Sequence, residues 1–109
     1  MKTRIAVTMG DPAGIGAEVL VKALRRLKLR GDAELHLIGD ACILRRHGFK
    51  SAACVCLHDM AHAGLGHLRP GRPSCAGARA AYGYLKEAVR MVRAGKADGL
   101  VTAPVSKEV

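Results

Sequence analysis

Thr8-Met9-Gly10-Asp11-Pro12-Ala13-Gly14-Ile15-Gly16 lies between a β-like run, Arg4-Ile5-Ala6-Val7, and an apolar pattern with helical spacing. Three glycines, an aspartate and a proline at a strand-to-helix passage specify a loop defined by its backbone. Gly10, Gly14 and Gly16 tolerate positive φ and let a ligand approach the main chain closely. The helix that follows aims its free N–H groups and positive dipole end back at the loop, a natural seat for an anion or a polar cofactor edge. Asp11-Pro12 also suits a turn or helix start, where the missing proline N–H does no harm. An ordinary tight turn fits the spacing equally well. The order Gly-x-x-x-Gly-x-Gly is not the Gly-x-Gly-x-x-Gly dinucleotide fingerprint, and without a Gly-Lys-Ser/Thr ending it is not a Walker A loop.

Outward from this loop the chain alternates. Residues 4–9 read as a buried strand. Leu20, Ala23, Leu24 and Leu27 form one apolar helical stripe, with Glu18 in the first turn and Gly31-Asp32 as the stop. Residues 34–38 read as a second strand. Asp40 is placed to cap a short helix, Ala41 to Arg46, closed by Gly48. A third strand is expected over Ala52 to Leu57, and residues 58–74 read as loop with at most one short strand. Ser74 then caps a long helix whose stripe is Ala78, Tyr82, Leu85, Val89 and Val92, with Gly95 at its C′ position. The last strand, Gly99 to Ala103, is halted by Pro104, and Ser106 suits the cap of another helix. This βαβ alternation predicts an α/β fold in three layers, a largely parallel sheet flanked by helices, with no internal boundary over residues 1–109. Ligands in such sheets sit beyond the carboxyl ends of strands. The glycine loop and the Thr102–Lys107 segment both follow strands directly, so both are expected on one edge.

The chain has 109 residues, half of them apolar, enough for one modest core. Aromatic residues are limited to Phe49, Tyr82 and Tyr84, so the core must be built from Leu, Val, Ile and Ala. No long apolar run escapes charge, so no membrane span is expected. The N-terminus does not read as a signal peptide, and a cytoplasmic setting is expected. Net charge is +9. The basic residues cluster at predicted helix ends (Arg25, Arg26, Lys28 and Arg30; Arg45 and Arg46; Arg90, Arg93 and Lys96), where they complement helix dipoles.

Cys54, Cys56 and His58 recur at period two, followed by His62 and His67. Four soft or borderline ligands are enough for zinc, but Cys-x-Cys-x-His-x-x-x-His is not a standard zinc spacing. The cysteines are expected to serve as small core residues, and no metal ligand is assigned. Thr102, Ser106 and Lys107 place two hydroxyls and a cation at a strand end. They read either as a polar wall of a site or as a ladder end, a helix cap and a solvated lysine. Lys107 suits a phosphate or carboxylate better than the role of a base. Asp11 reads either as a ligand contact or as a turn-forming residue before proline.

Thr8–Gly16, continued by Ala17-Glu18, resembles the N-terminal signature of the 4-hydroxythreonine-4-phosphate dehydrogenase family. Asp98-Gly99-Leu100-Val101-Thr102-Ala103-Pro104-Val105-Ser106-Lys107 is a second match, and Gly71-Arg72-Pro73-Ser74 followed by Gly77 is a weaker third. Ala17 stands where the family usually has proline. The resemblance covers the chain but only the first third of the family's usual span. It implies a fold similar to isocitrate and isopropylmalate dehydrogenases, incomplete here. It also implies oxidation of 4-hydroxy-L-threonine phosphate, or a related hydroxy acid, with NAD and a divalent metal, followed by decarboxylation, in pyridoxal phosphate biosynthesis. The partners implied are a small phosphorylated hydroxy amino acid and a second copy in a homodimer. The family's metal and phosphate ligands lie past residue 109, so no ligand role falls on His36, His47, His58, His62 or His67. What carries over is cleft lining: Gly10, Asp11, Gly14, Gly16, Thr102, Ala103, Pro104, Ser106 and Lys107. No catalytic residue is assigned, and the chain alone is expected to be inactive. Two other readings are a small basic nucleic-acid-binding module, for which no aromatic platform exists, and a zinc-binding domain on Cys54–His67.

Overall fold

A computed structural model describes residues 3–27, 31–62, 72 and 74–103. The elements run β1 (Thr3–Thr8), α1 (Gly16–Arg26), β2 (Ala33–Gly39), α2 (Ala41–Arg46), β3 (Val55–Asp59), α3 (Cys75–Arg93) and β4 (Gly99–Thr102). The four strands form one sheet in the order β3-β2-β1-β4, and every pairing is parallel. The expected α/β layering is therefore what the chain adopts. Parallel neighbours need crossovers, and right-handed crossovers put α1 and α2 on one face and α3 on the other, because the chain reverses direction across the sheet between β3 and β4.

The core follows from strand alternation and register. Ile5, Val7, Leu35, Leu37, Val55 and Leu57 line one face; Ala6, Thr8, His36, Ile38, Cys56 and His58 line the other. The central strands carry the burial: Ala6, Met9, Leu37 and Ile38 are almost completely enclosed. β4 is an edge strand among the described residues, and Leu100 and Val101 are exposed there.

Four local expectations need correction. The third strand begins three residues later than the sequence indicates, because Cys54 takes φ 67°, a left-handed turn conformation that cannot continue a strand. The buried stripe of α1 is Ala17 and Val21 with Leu20 and Leu24 half-buried, whereas Ala23 and Leu27 face solvent. On α3, Tyr82, Leu85, Val89 and Val92 are exposed, and the helix instead buries Gly77, Ala80, Ala81, Tyr84, Ala88 and Met91. The cysteines do not fill the core: Cys42, Cys56 and Cys75 are exposed and Cys54 is half-buried.

The helix ends otherwise obey their local signals. The Ser74 side chain accepts a hydrogen bond from Gly77 N at 3.0 Å, capping α3, and Gly95 takes φ 74° just past its end. Gly48 likewise turns with φ 87° after α2. Arg25 and Arg26, Arg45 and Arg46, and Arg90 and Arg93 occupy last turns, as the charge pattern indicates. No described helix is long and apolar enough to cross a membrane.

Candidate functional site

β1 and β4 are neighbours, yet the chain between them passes through both other strands. Their carboxyl ends therefore flank the point where the strand order reverses, the usual ligand position in open α/β sheets. Thr8 pairs with Thr102 in register, and Ala103 N donates to Thr8 O at 3.0 Å. The glycine loop and the start of the Thr102–Lys107 segment thus share one edge. Thr102 is exposed and Ala103 half-buried; Pro104, Ser106 and Lys107 lie outside the described residues.

The loop itself is tightly folded. Gly10 takes φ 77°, and it alone of the loop's three glycines needs the left-handed region. Asp11 is 4% exposed. Its Oδ1 accepts from Ala13 N at 2.9 Å, and its carbonyl accepts from Gly14 N at 3.0 Å, so Asp11 is a turn-former. Its carboxylate also packs beside the first turn of α3: a Cβ added at Gly77 would lie 3.0 Å from Oδ1, and that helix end favours a negative charge. Gly10 and Gly16 are buried, Gly14 is half-buried and Ile15 is exposed. The part of the loop presented to solvent is therefore Gly14-Ile15, at the N-terminus of α1, which has no side-chain cap.

A second feature of this edge has no counterpart in the sequence reading. Asp40 was expected to cap α2, but its side chain turns away from the helix. Oδ1 accepts from His62 N at 2.6 Å, and Oδ2 accepts from His62 Nδ1 at 2.8 Å and from the Tyr84 hydroxyl. Asp59 from the end of β3 takes over at α2, accepting from Ala41 N at 3.2 Å and from Ala61 N at 3.0 Å. Asp40 is 1% exposed and Tyr84 fully enclosed. Burial and the adjacent carboxylate push the Tyr84 phenol well above its ordinary range, so it remains a donor. The His62 ring meets Tyr84 edge-on, and a Cβ at Gly83 would fall 3.2 Å from His62 Nε2. The trio ties the segment after β3 to the middle of α3. Its polar atoms are satisfied within the fold, and no buried side-chain polar atom among the described residues lacks a partner.

Several basic groups are used internally. Arg4 donates to Gly95 O at 2.6 Å and lies 3.8 Å from Asp98, Arg25 reaches Gly48 O at 3.4 Å, and Arg90 pairs with Glu87.

Comparison with known proteins agrees with this architecture. The family described as pyridoxal phosphate biosynthetic protein PdxA matches over residues 6–109. A curated 4-hydroxythreonine-4-phosphate dehydrogenase from Synechococcus is 34% identical over 115 aligned residues, spanning 95% of this chain and 33% of the relative. A crystal structure of a 4-hydroxythreonine-4-phosphate dehydrogenase from Burkholderia phymatum superposes with TM-score 0.85 at 31% identity, covering 99% of this chain and 38% of that one. A terephthalate 1,2-cis-dihydrodiol dehydrogenase from Burkholderia xenovorans superposes with TM-score 0.79 at 29% identity, covering 98% of this chain and 35% of that one. The chain spans about a third of the length of the curated relatives it matches.

Proposed function

Because the chain belongs to the pyridoxal phosphate biosynthetic protein PdxA family, we propose that it lines the cofactor and substrate cleft of an NAD-dependent oxidoreductase. The reaction is oxidation, with decarboxylation, of 4-hydroxy-L-threonine phosphate or a related hydroxy acid, assisted by a divalent metal. The observation that carries this reading is the pairing of the glycine loop with the Thr102–Ala103 strand end at the β1/β4 switch point. There Gly14-Ile15, the solvent-facing approach to α1, leads to a helix N-terminus without a side-chain cap, which suits an anionic group of cofactor or substrate. Thr102 adds a hydroxyl on an exposed residue. Pro104, Ser106 and Lys107 enter through the sequence motif, with Lys107 as a phosphate or carboxylate partner.

The metal's ligands are not found among the described residues at this edge. Asp11, Asp40 and Asp59 hold backbone and side-chain donors of the fold, and they do not converge as a ligand group among the described residues. When bound through ligands past residue 109, the ion would supply Lewis-acid polarisation of the substrate alcohol. The 109-residue chain alone is therefore inactive in this reading, since metal, phosphate clamp and nicotinamide pocket must be held together. The homodimer belongs to the same proposal, supported by the apolar outer face of α3, as does a cytoplasmic setting.

The test is NADH formation by a full-length enzyme carrying this segment, with 4-hydroxythreonine phosphate or related hydroxy acids and a divalent metal. No NADH with any of them refutes the activity. Turnover by the 109-residue chain at an ordinary dehydrogenase rate refutes the division of the site.

A further inference from the structure

We propose that His36, Cys56 and His58 form a zinc site on the α3-facing side of the sheet, with Glu34 positioning His36. Parallel register sets His36 beside Cys56, and His58 follows two residues on, so all three project from the same face of adjacent strands. Their ligand atoms all lie within 4.8 Å of one another. His36 Nδ1 stands 2.8 Å from His58 Nε2, with ring centroids 5.1 Å apart and planes tilted by 38°. Around tetrahedral zinc, nitrogen and sulfur ligands at about 2.0–2.3 Å lie roughly 3.3–3.6 Å apart. Small side-chain rotations convert one arrangement into the other without moving the strands.

The surroundings favour ligation. Glu34 Oε1 lies 2.6 Å from His36 Nε2. An ionised carboxylate only accepts, so it fixes the proton on Nε2 and leaves the Nδ1 lone pair directed at His58 and Cys56. This is the carboxylate–histidine pairing that orients ligands at metal centres. Cys56 is exposed, which gives an ion access, and three protein ligands leave a fourth position for water. This set differs from the alternative zinc reading on Cys54–His67, to which the sequence assigns no ligand. Among that reading's described members, Cys56 and His58 remain, His62 is held by Asp40, and His36 enters from the neighbouring strand.

The 109-residue chain is titrated with zinc against a chromophoric chelator at neutral pH, and cobalt(II) is substituted for spectroscopy. One equivalent should bind, and the cobalt form should show tetrahedral-intensity visible bands with a thiolate charge-transfer band. Cys56→Ser should abolish that band, Glu34→Gln should weaken zinc binding about 10–100-fold, and Cys42→Ser and Cys54→Ser should change neither. Wild-type chain that binds no stoichiometric zinc, or binds cobalt without a thiolate band, overturns the site whether or not the variants fold. So does binding that survives Cys56→Ser or is lost only on His62→Ala.

Discussion

Tyr84→Phe removes one hydroxyl from the centre of the molecule and leaves the ring in place. The hydroxyl donates to Asp40 Oδ2, and Asp40 is 1% exposed, so the lost bond is one to a buried charge. Such bonds contribute about 1.5–3 kcal/mol. His62 N and Nδ1 continue to hold the carboxylate, which keeps the loss near the middle of that range, about 2 kcal/mol, and no cavity larger than an oxygen is created. The pH dependence gives an independent signature. The folded-state phenol pKa is raised above the unfolded value of 10.0, so the protonated form belongs to the native state. Its stabilisation is fully present below pH 10.0 and is lost as pH rises beyond that, by up to about 1.4 kcal/mol per pH unit. Urea melts of wild type and Tyr84→Phe from pH 8 to pH 11 isolate this contribution, because the exposed lysines and Tyr82 are common to both. The gap between the two should stand at about 2 kcal/mol up to pH 10 and shrink above it. A gap under about 0.5 kcal/mol that stays constant with pH would refute the Asp40–Tyr84 bond as a structural tie.

Gly39→Ala should destabilise the chain by about 1–3 kcal/mol in the same melts. The new Cβ would sit 2.8 Å from the Cβ of buried Met9, whose backbone is pinned to Ile38 O, so the glycine loop has to shift. Gly14→Val in the full-length enzyme should weaken cofactor or substrate binding more than folding, since a Cβ there meets Asp11 only at 3.5 Å; equal losses would favour a plain turn. With chelator present, wild-type stability should fall as pH drops below 6.5, because the folded-state pKa of His58 is depressed and its neutral form belongs to the native state. His58→Gln should flatten that acid limb in thermal melts, and an unchanged limb would contradict the assignment.

The parts legible in the sequence are those set by local chemistry. The glycine loop, the Ser74 cap, the glycine after α3 and the strand–helix alternation each depend on a few adjacent residues and appear where the pattern puts them. The shared edge of the loop and Thr102 also follows, because parallel strands all end on the same side. Asp40 departs from its local signal for the opposite reason. An aspartate before a helix has the local chemistry of a cap, and only tertiary structure brings His62 and Tyr84 to it, from 22 and 44 residues away. The nearness of His36 to Cys56 is not legible in the sequence, because register between strands, not spacing along the chain, makes them neighbours.

The reversed face of α3 shows a further limit of periodicity. Two stripes repeat at helical spacing: Ala78, Tyr82, Leu85, Val89 and Val92, and Gly77, Ala80, Ala81, Tyr84, Ala88 and Met91. The first has more large apolar side chains, so hydrophobicity alone selects it. The sheet selects the second. A stripe of glycine and alanine lets the helix axis approach the strands closely, and close packing over a whole face outweighs a few larger groups held farther off. Tyr84 joins the small stripe because Asp40 at the carboxyl edge accepts its hydroxyl; without that partner a buried phenol would cost more than its ring gains. Tyr82 has no such partner and is 64% exposed, its ring lying under the Lys86 ammonium at 5.5 Å. The buried carboxylate at the end of β2 therefore bears on both: it accepts the hydroxyl of the one large polar side chain on the face that close packing selects, and that bond together with those from His62 holds its side chain away from the α2 cap.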